Sequence, residues 1–437
     1  MVLEDYLSRN AAQFPDKVAV ICGAEKCTYR ELLDRVERCA TLLKVKDALV
    51  AFRFVPSIDS LVFYFAIHQA GGVAVPLEKS VSDEQLGQVR KGLMGVTVPK
   101  GTADVLFTTG TTGQSKGVMI SHKTILADAE NLVEAQGYHH DLTFVINGPL
   151  NHIGSLSKVY PILLVGGTIQ IVDGMKNLNA FYQAIEQAPS KVATFLVPSS
   201  IRMLLAFSSC RLASCRDKVE FIETGAAPIS TADMKTLCSL LPHSRLFNTY
   251  ASTETGIIAT YDFQNGECLA GCLGKAMRHS RIVITDDGHV ACSGDTLMSG
   301  YLGDEVLTRS VLRDGMVYTA DLGELDALDR LRLKGRGGDV INVGGYKVQP
   351  TDVEDAALSL PYVKDCICLP AHHRVLGTVL RLLVVLDEGA TFDKRQIALA
   401  LRGKLESYQV PTQYEQVASV KRTFNGKIDR KAYLTSD

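Results

Sequence analysis

The amino-acid sequence predicts an α/β fold, with a large N-terminal domain of mainly parallel sheets flanked by helices and a small α+β domain after it. Short apolar runs alternate with segments of helical period over most of the chain. The chain has 437 residues, more than one ordinary domain usually contains. Its composition changes near residues 329–339, where Arg, Lys and Gly crowd together. This change predicts a linker between the two parts.

A helix is predicted to begin after Thr28. The Thr28 hydroxyl and the Glu31 carboxylate can satisfy free backbone N–H groups in a capping box, and an apolar stripe of helical period follows. The most apolar stretch, residues 61–77, is interrupted by polar residues, glycines and a proline, which predicts a core helix and a strand and excludes a membrane span. Seven short apolar runs are predicted as strands: Leu49–Phe54, Val73–Val75, Val105–Phe107, Phe144–Asn147, Thr168–Val172, Thr194–Val197 and Glu220–Glu223.

The smaller domain is predicted from the last hundred residues or so. Thr351 and Glu354 form a second capping-box pattern directly after Pro350. Two strand-like runs, Val363–Leu369 and Val379–Leu386, are followed by a helical pattern over residues 393–405. This succession is typical of an α+β unit.

Charge and cysteine content exclude several classes of protein. Lys plus Arg number 46 against 48 for Asp plus Glu, so a net charge of −2 gives no bulk attraction to nucleic acid or acidic membranes. The eleven cysteines are scattered, without the paired spacing of a zinc site. We expect reduced, mostly buried thiols, and a cytoplasmic protein.

The strongest motif, Thr108–Gly117, follows a predicted strand. Its glycines allow several backbone N–H groups to face one anion, its hydroxyls add donors, and Lys116 adds a positive charge. The spacing differs from that of a Walker A loop. The segment therefore predicts a phosphate-binding loop of another kind.

The same segment also matches the G-x-S-x-G pattern of a hydrolase nucleophile, at Ser115. In that hypothesis His372 or His373 would serve as the base. No HGGG-type segment precedes Ser115, and a hydrolase has no need of the row of threonines. The serine hydrolase stays a minor alternative.

Three further segments carry side chains suited to nucleotide chemistry. Tyr250 could stack on a base and Glu254 could bind Mg²⁺, four residues apart. Asp321 offers a carboxylate for the two hydroxyls of a ribose, and Lys427 follows a glycine near the C-terminus. Each pattern is weak alone, and their joint presence favours a nucleotide site.

Together these segments make the chain recognisable. Their order resembles the adenylate-forming superfamily, which comprises acyl- and aryl-CoA synthetases, adenylation domains of nonribosomal peptide synthetases, and luciferases. The resemblance runs along nearly the whole chain and implies a mobile C-terminal domain and an ATP site between the domains, which we place at residues 1–335 and 336–437. The segments that carry it are Thr108–Gly117, Glu223–Pro228, Tyr250–Glu254, Tyr318–Gly323, Gly335–Gly345 and Asn425–Arg430.

The resemblance implies a role for each matching residue. Residues 108–117 would bind the β- and γ-phosphates, Gly225–Ala227 and Tyr250 the adenine, and Asp321 the ribose. The whole ATP-binding set would be Thr108, Thr109, Gly110, Thr111, Thr112, Gly113, Lys116, Gly225, Ala226, Ala227, Thr249, Tyr250, Thr253, Asp321, Arg336 and Lys427.

The resemblance also implies the catalytic groups. Glu254 would ligate Mg²⁺, Lys427 would bridge the substrate carboxylate and the α-phosphate, and His152 would border that carboxylate. Gly338 would form the hinge, and Gly344 and Gly345 would line the pantetheine tunnel.

The implied activity is ATP-dependent conversion of a carboxylic acid to acyl-AMP, with release of pyrophosphate, followed by transfer to the thiol of coenzyme A. ATP, Mg²⁺ and coenzyme A would be required. Because coenzyme A and a carrier protein share the pantetheine arm, an enzyme that loads a separate carrier protein is the second choice. An inactive nucleotide-binding protein is the remaining alternative.

The sequence departs from the family pattern in places. Ser115 stands where many members have Pro, Ala251 where they usually have Gly, and Gly338 where Asp or Lys is usual. Leu77 and Phe107 are 30 positions apart (107 − 77), which predicts that a βα unit of the N-terminal domain is reduced or absent. Ile153 replaces the Asp that holds the ammonium of amino-acid substrates, which argues against an α-amino acid.

Overall fold

The computed structural model describes residues 2–109, 115–344, 346–374, 376–422 and 428–434. Its helices are α1 Leu3–Gln13, α2 Tyr29–Leu42, α3 Ile58–Gln69, α4 Asp83–Leu93, α5 His122–Gln136, α6 Ile153–Leu156, α7 Val159–Val165, α8 Leu178–Glu186, α9 Pro198–Ser214, α10 Thr231–Leu240, α11 Glu305–Val311, α12 Pro350–Leu358, α13 Lys394–Arg402 and α14 Lys431–Leu434. Short 3₁₀ turns occur at Gly337–Asp339 and Ser407–Gln409.

Among the described residues of the first two hundred, six strands overlap the predicted apolar runs, and three more, at residues 18–22, 25–28 and 115–121, are additional to the prediction. They are β1 Val18–Cys22, β2 Glu25–Thr28, β3 Leu49–Arg53, β4 Val73–Leu77, β5 Thr102–Thr109, β6 Ser115–Ser121, β7 Thr143–Ile146, β8 Thr168–Ile171 and β9 Val192–Phe195. The later strands are β10 Val219–Gly225, β11 Arg245–Ser252, β12 Gly256–Asp262, β13 Cys272–Ala276, β14 Ser280–Ile284, β15 His289–Gly294, β16 Gly300–Tyr301, β17 Leu312–Arg313, β18 Met316–Leu325, β19 Leu331–Arg336, β20 Ile341–Val343, β21 Tyr346–Val348, β22 Val363–His373, β23 Gly377–Leu386 and β24 Gln413–Gln416.

The largest sheet is parallel in one half and antiparallel in the other. Strands β1, β8, β7, β9, β10 and β11 pair in parallel, as the alternation of strands and helices predicts. Beyond β11 the pairing is antiparallel through β12, β13, β19, β18, β15 and β14. The α/β class is confirmed, but "mainly parallel" is too broad. The connections within β11–β12, β14–β15 and β18–β19 are too short for the crossover that a parallel pair needs.

A second sheet, in the order β16-β6-β5-β4-β3, carries the phosphate-loop motif. Strands β5 and β6 are antiparallel, and Thr109 pairs with Ser115, so the motif joins two neighbouring strands. Between β4 and β5 the chain has one helix, α4, and Ala74 still pairs with Asp104. The short connection is therefore compatible with an intact sheet.

A buried ionic cluster joins α1, α3 and β5. The His68 ring contacts Glu4 Oε1 through Nδ1 at 2.8 Å and Asp104 Oδ1 through Nε2 at 3.0 Å. Burial by itself lowers the pKa of His68, but the Glu4 and Asp104 carboxylates outweigh it and raise that pKa to about 10. His68 is therefore protonated at neutral pH.

The C-terminal part has its own two small sheets, β20-β21 and β22-β23-β24. Helix α12 begins at Pro350 with Gln349 as its N-cap residue, so the capping box predicted at Thr351 is wrong. Pro suits the first position of a helix because its φ is already helical. Glu354 instead turns inward, where its Oε1 accepts a hydrogen bond from Arg430 Nη1 at 2.7 Å.

Two further expectations concern the thiols and the membrane. The eleven cysteines, all within the described part of the chain, are free, and six of them are buried. Among the described residues no helix has the length and apolarity needed to cross a membrane. The prediction of reduced, mostly buried thiols is confirmed.

Candidate active site

Three predicted nucleotide residues, Tyr250, Asp321 and Arg336, lie together on strands β11, β18 and β19 of the large sheet. The Tyr250 hydroxyl donates to Asp321 Oδ2 at 2.8 Å, and Arg336 Nε donates to Asp321 Oδ1, also at 2.8 Å. The antiparallel register of β18 and β19 sets Asp321 directly opposite Arg336. Burial and the Asp321 carboxylate raise the pKa of Tyr250 far above its usual value. The phenol therefore stays protonated and holds the carboxylate in place.

The Gly225–Ala227 turn lies beside this cluster. Strand β10 ends at Gly225, which pairs with Thr249, the residue before Tyr250. A Cβ at Gly225 would lie 2.7 Å from the Thr249 carbonyl oxygen, so only glycine allows this close approach. Ala226 has a left-handed φ of 66°, which turns the chain sharply out of the sheet. The turn therefore leaves the sheet directly beside Tyr250, and its role toward adenine stays a prediction.

The Thr249 side chain makes its contacts away from that turn. Its hydroxyl is 2.9 Å from the Thr260 hydroxyl and accepts a hydrogen bond from Gln136 Nε2 at 3.2 Å. Both contacts lie in the protein interior. Thr249 therefore contributes through its backbone beside Gly225.

Glu254 and Lys116 come together through Tyr301, which the sequence analysis missed. The Tyr301 hydroxyl donates to Glu254 Oε1 at 3.0 Å, and Lys116 Nζ lies 5.4 Å from the centroid of the Tyr301 ring. Burial and Glu254 raise the pKa of Tyr301, which keeps its hydroxyl a donor. The predicted Mg²⁺ ligand and the phosphate-loop lysine thus share one neighbourhood. Nothing in the sequence around Tyr301 distinguishes it from an ordinary strand residue.

Other predicted residues occupy open or partly buried positions. Thr108 and Thr253 are half-buried. Gly338 lies in the 3₁₀ turn just after Arg336, and no atom lies within 4 Å of a Cβ built there. Gly344 has a φ of 56° in equally open space. Gly338 is thus compatible with a hinge.

Several predicted residues lie outside the described part of the chain. They are Gly110, Thr111, Thr112, Gly113, Gly345 and Lys427, together with the side chain of Thr109. Their roles stay predictions from the sequence.

Residues 152–154, predicted to border the acid and called the acid turn below, and the Gly225–Ala227 turn, called the nucleotide turn, both lie near Phe195. His152 is the N-cap residue of α6, with its Nε2 3.3 Å from Asn151 Nδ2. A Cβ at Gly154 would lie 3.6 Å from the Phe195 ring, and one at Gly225 would lie 3.7 Å from the same ring. Residues of both predicted subsites therefore lie next to the same aromatic ring.

A buried ion pair lies behind Phe195. Lys158 Nζ is 2.8 Å from Glu223 Oε1, with the two side chains 2% and 1% exposed. Lys158 Nζ is also 5.3 Å from the centroid of the Phe195 ring, and Glu223 pairs with Phe195 across β9 and β10. The sequence analysis missed this pair, although a charged residue inside each of two apolar runs was a usable signal.

The residues of the hydrolase hypothesis are on different sheets. Ser115 is on β6, whereas His372 and His373 are on β22 of the C-terminal sheet. That alternative gains nothing from the structure.

Comparison with known proteins identifies the family of this chain. The sequence profile of "AMP-binding enzyme" matches residues 7–91 and 96–302, and that of "AMP-binding enzyme C-terminal domain" matches residues 352–427. The chain belongs to the AMP-binding enzyme family. The predicted family is thereby confirmed.

Full-length relatives carry the names of CoA ligases. The indoleacetate–CoA ligase of Aromatoleum aromaticum is 25% identical over 503 aligned positions, which cover 98% of this chain and 96% of the relative. The putative long chain fatty acid–CoA ligase VraA of Staphylococcus epidermidis is 26% identical, with the same coverage.

Solved structures share the fold. ATP-bound MatB from Rhodopseudomonas palustris has a TM-score of 0.88 at 23% identity and covers 99% of this chain and 98% of its own. o-Succinylbenzoate CoA synthetase from Bacillus subtilis, in complex with its acyl-adenylate, has a TM-score of 0.85 at 20% identity, with 99% and 98% covered. These likenesses confirm the predicted fold class.

Proposed function

We propose that this enzyme activates a small carboxylic acid with Mg²⁺-ATP and transfers the acyl group to coenzyme A. Family and relatives confirm the class, an AMP-forming acid–thiol ligase. The proposal for these residues rests on the position of Phe195. Its ring lies 3.6 Å from a Cβ built on Gly154 of the acid turn and 3.7 Å from one built on Gly225 of the nucleotide turn. The two reactants would therefore meet at one place.

The chemistry explains why such residues are needed. A carboxylate resists nucleophiles because it is negatively charged and would have to expel oxide. When a carboxylate oxygen attacks the α-phosphorus of ATP, the bond to pyrophosphate breaks and a mixed anhydride forms. The thiol sulfur then attacks the acyl carbon, and AMP leaves. In the first step two anions meet, so positive charge at the contact lowers the barrier.

The described side chains fit the nucleotide. Each carboxylate oxygen of Asp321 already accepts one hydrogen bond. Because a carboxylate has about four lone-pair sites, two of them remain free to accept from two ribose hydroxyls. The Glu254 carboxylate, which accepts a hydrogen bond from Tyr301, is the hard oxygen donor that Mg²⁺ prefers, and Lys116 lies near the ring of the same tyrosine. Bound Mg²⁺ would supply positive charge to the phosphates, and Lys427 would supply it to the substrate carboxylate.

The domain boundary and the acceptor belong to the same proposal. Strand β19, which belongs to the large sheet, ends at Arg336, and the small sheets begin at Ile341. We place the boundary at 335/336 and the hinge at Gly338, so that the 336–437 domain can rotate between the two half-reactions. Coenzyme A is the proposed acceptor, and a carrier protein is the alternative.

Pyrophosphate–ATP exchange tests the proposal. The purified enzyme is supplied with ATP, Mg²⁺ and labelled pyrophosphate, together with short-chain, long-chain, benzoate-like and dicarboxylate acids in turn. We expect exchange that depends on one class of acid, and loss of coenzyme A thiol when coenzyme A is added. Nucleotide binding without exchange across the whole panel would contradict the proposal.

A further inference from the structure

The Lys158–Glu223 pair is unusual because it is buried next to a predicted substrate surface. Lys158 lies between α6 and α7, directly after the acid turn, and Glu223 lies two residues before Gly225. The Phe195 ring lies 3.6 Å from the position that a Cβ would take on Gly154 of the acid turn, and its centroid is 5.3 Å from the Lys158 ammonium. The pair therefore lies one side chain deeper than the predicted acid subsite.

The pair leaves hydrogen-bonding capacity unused. Glu223 Oε1 is bonded to Lys158, whereas Glu223 Oε2 is buried without a protein partner. The Tyr138 hydroxyl and Ser157 Oγ are also buried without a partner, and burial and the Glu223 carboxylate raise the pKa of Tyr138. Buried polar atoms in native proteins nearly always have a partner. A partner that binds from outside the chain, such as a substrate group, would satisfy Glu223 Oε2.

Stability is a weak reason for this pair. Replacing a buried ion pair by well-packed apolar residues is often neutral or stabilising, because the desolvation of both charges offsets their attraction. A role in recognition explains it better, since a buried polar group strongly discriminates between a ligand that pairs with it and one that does not.

We propose that the Lys158–Glu223 pair forms the inner end of the acid pocket and selects a carboxylic acid whose far end carries a neutral hydrogen-bond donor, a hydroxyl or an aryl amine. The inference rests on the proposed function. Glu223 Oε2 can only accept, so it requires a donor. Lys158 neutralises the charge of Glu223, so the donor need not be cationic. An apolar tail would leave Glu223 Oε2 unpaired, which disfavours alkyl acids.

The test measures kcat/KM in the exchange assay for acids matched in size. Hydroxybenzoates and aminobenzoates are compared with the corresponding methylbenzoates at each ring position, and short ω-hydroxy acids with their alkyl counterparts. We expect the best donor-bearing acid to exceed its methyl counterpart by at least about 10²-fold. A ratio near one for every matched pair of acids overturns the inference. The same result is expected if a buried water molecule, and not the substrate, pairs with Glu223 Oε2.

Variants of Lys158 and Glu223 test whether this ion pair causes the preference for donor-bearing acids. Glu223→Leu combined with Lys158→Met removes both charges and should lower the ratio to near one or reverse it, with KM for ATP changed less than threefold. Glu223→Gln keeps the volume and offers a second test if the double variant does not fold. Glu220→Gln on the same strand, whose carboxylate contacts Arg245 and His139, is the matched control and should leave the ratio unchanged.

The two proposals fail differently. If no acid supports exchange, the proposed function fails. If acids support exchange but the donor preference is absent or survives the double variant, only the inference fails.

Discussion

The nucleotide side and the acid side of the candidate site are built differently. On the nucleotide side the polar groups satisfy one another, since Tyr250 and Arg336 both donate to Asp321 and Tyr301 donates to Glu254. On the acid side the Lys158–Glu223 pair is more deeply buried, yet Glu223 Oε2 has no protein partner. The difference is what the two proposals require: a preorganised site for ATP, which every turnover uses, and an incomplete one for the acid, whose own donor would complete it.

The largest effect is expected from Lys427→Ala. This variant separates neutralisation of charge during adenylation from binding of the nucleotide and the acid on the two sides of the site. Adenylation should fall by about 10²–10³-fold, because the proposed role of the lysine is to neutralise charge only where two anions meet. Thioester formation from supplied acyl-AMP should change no more than a few-fold. Both steps are measured, by pyrophosphate exchange and by thioester release, and equal losses would refute the role of Lys427.

Asp321→Ala tests the preorganised nucleotide side. Removing the carboxylate leaves Arg336 and Tyr250 without their shared acceptor and would remove the proposed ribose contact, so KM for ATP should rise by about 10–100-fold. The preference among acids should not change. Tyr250→Phe, which keeps the ring and loses one hydrogen bond, is the milder control. A shift in acid preference in Asp321→Ala would remove the distinction between the two sides.

Gly225→Ala and Gly338→Ala form a matched pair at two glycines with different surroundings. The new methyl at Gly225 would meet the Thr249 carbonyl at 2.7 Å, which should lower the free energy of unfolding by about 1–3 kcal/mol and weaken ATP binding. At Gly338 the methyl meets nothing within 4 Å, so stability should stay within about 0.5 kcal/mol. Urea unfolding measures both variants, and equal stabilities would show that the Gly225 turn relaxes.

The smallest effect is expected for the His68 cluster, whose partners Glu4 and Asp104 belong to neither predicted subsite. Because the folded pKa of about 10 exceeds the ordinary value of 6.5, its stabilising contribution is complete below pH 6.5 and is lost as the pH rises toward 10. The difference in unfolding free energy between wild type and His68→Gln should shrink over that interval. Urea unfolding at pH 6, 8 and 10 measures it, and a constant difference would contradict the assignment. The preference among substrate acids should not change along with this pH-dependent difference in stability.

Much of the fold was predictable because local patterns carry it. The Thr28–Glu31 capping box forms as expected at the start of α2, and the strand predicted before the phosphate motif is β5. The second capping box failed because Pro350 fixes the helix start and Glu354 finds a stronger partner, Arg430. A local pattern cannot reveal such a competitor.

The sequence alone determined the family, the order of the motifs, and the residue types available for ATP, Mg²⁺ and an acid. Only the tertiary structure decided which of them meet: Tyr250 with Asp321, Glu254 with Tyr301, and Lys158 with Glu223 are 71, 47 and 65 positions apart. The physical reason is that periodicity and turn chemistry act over a few neighbouring residues. A contact between two strands or a strand and a helix instead depends on sheet order, register and the packing of the whole domain.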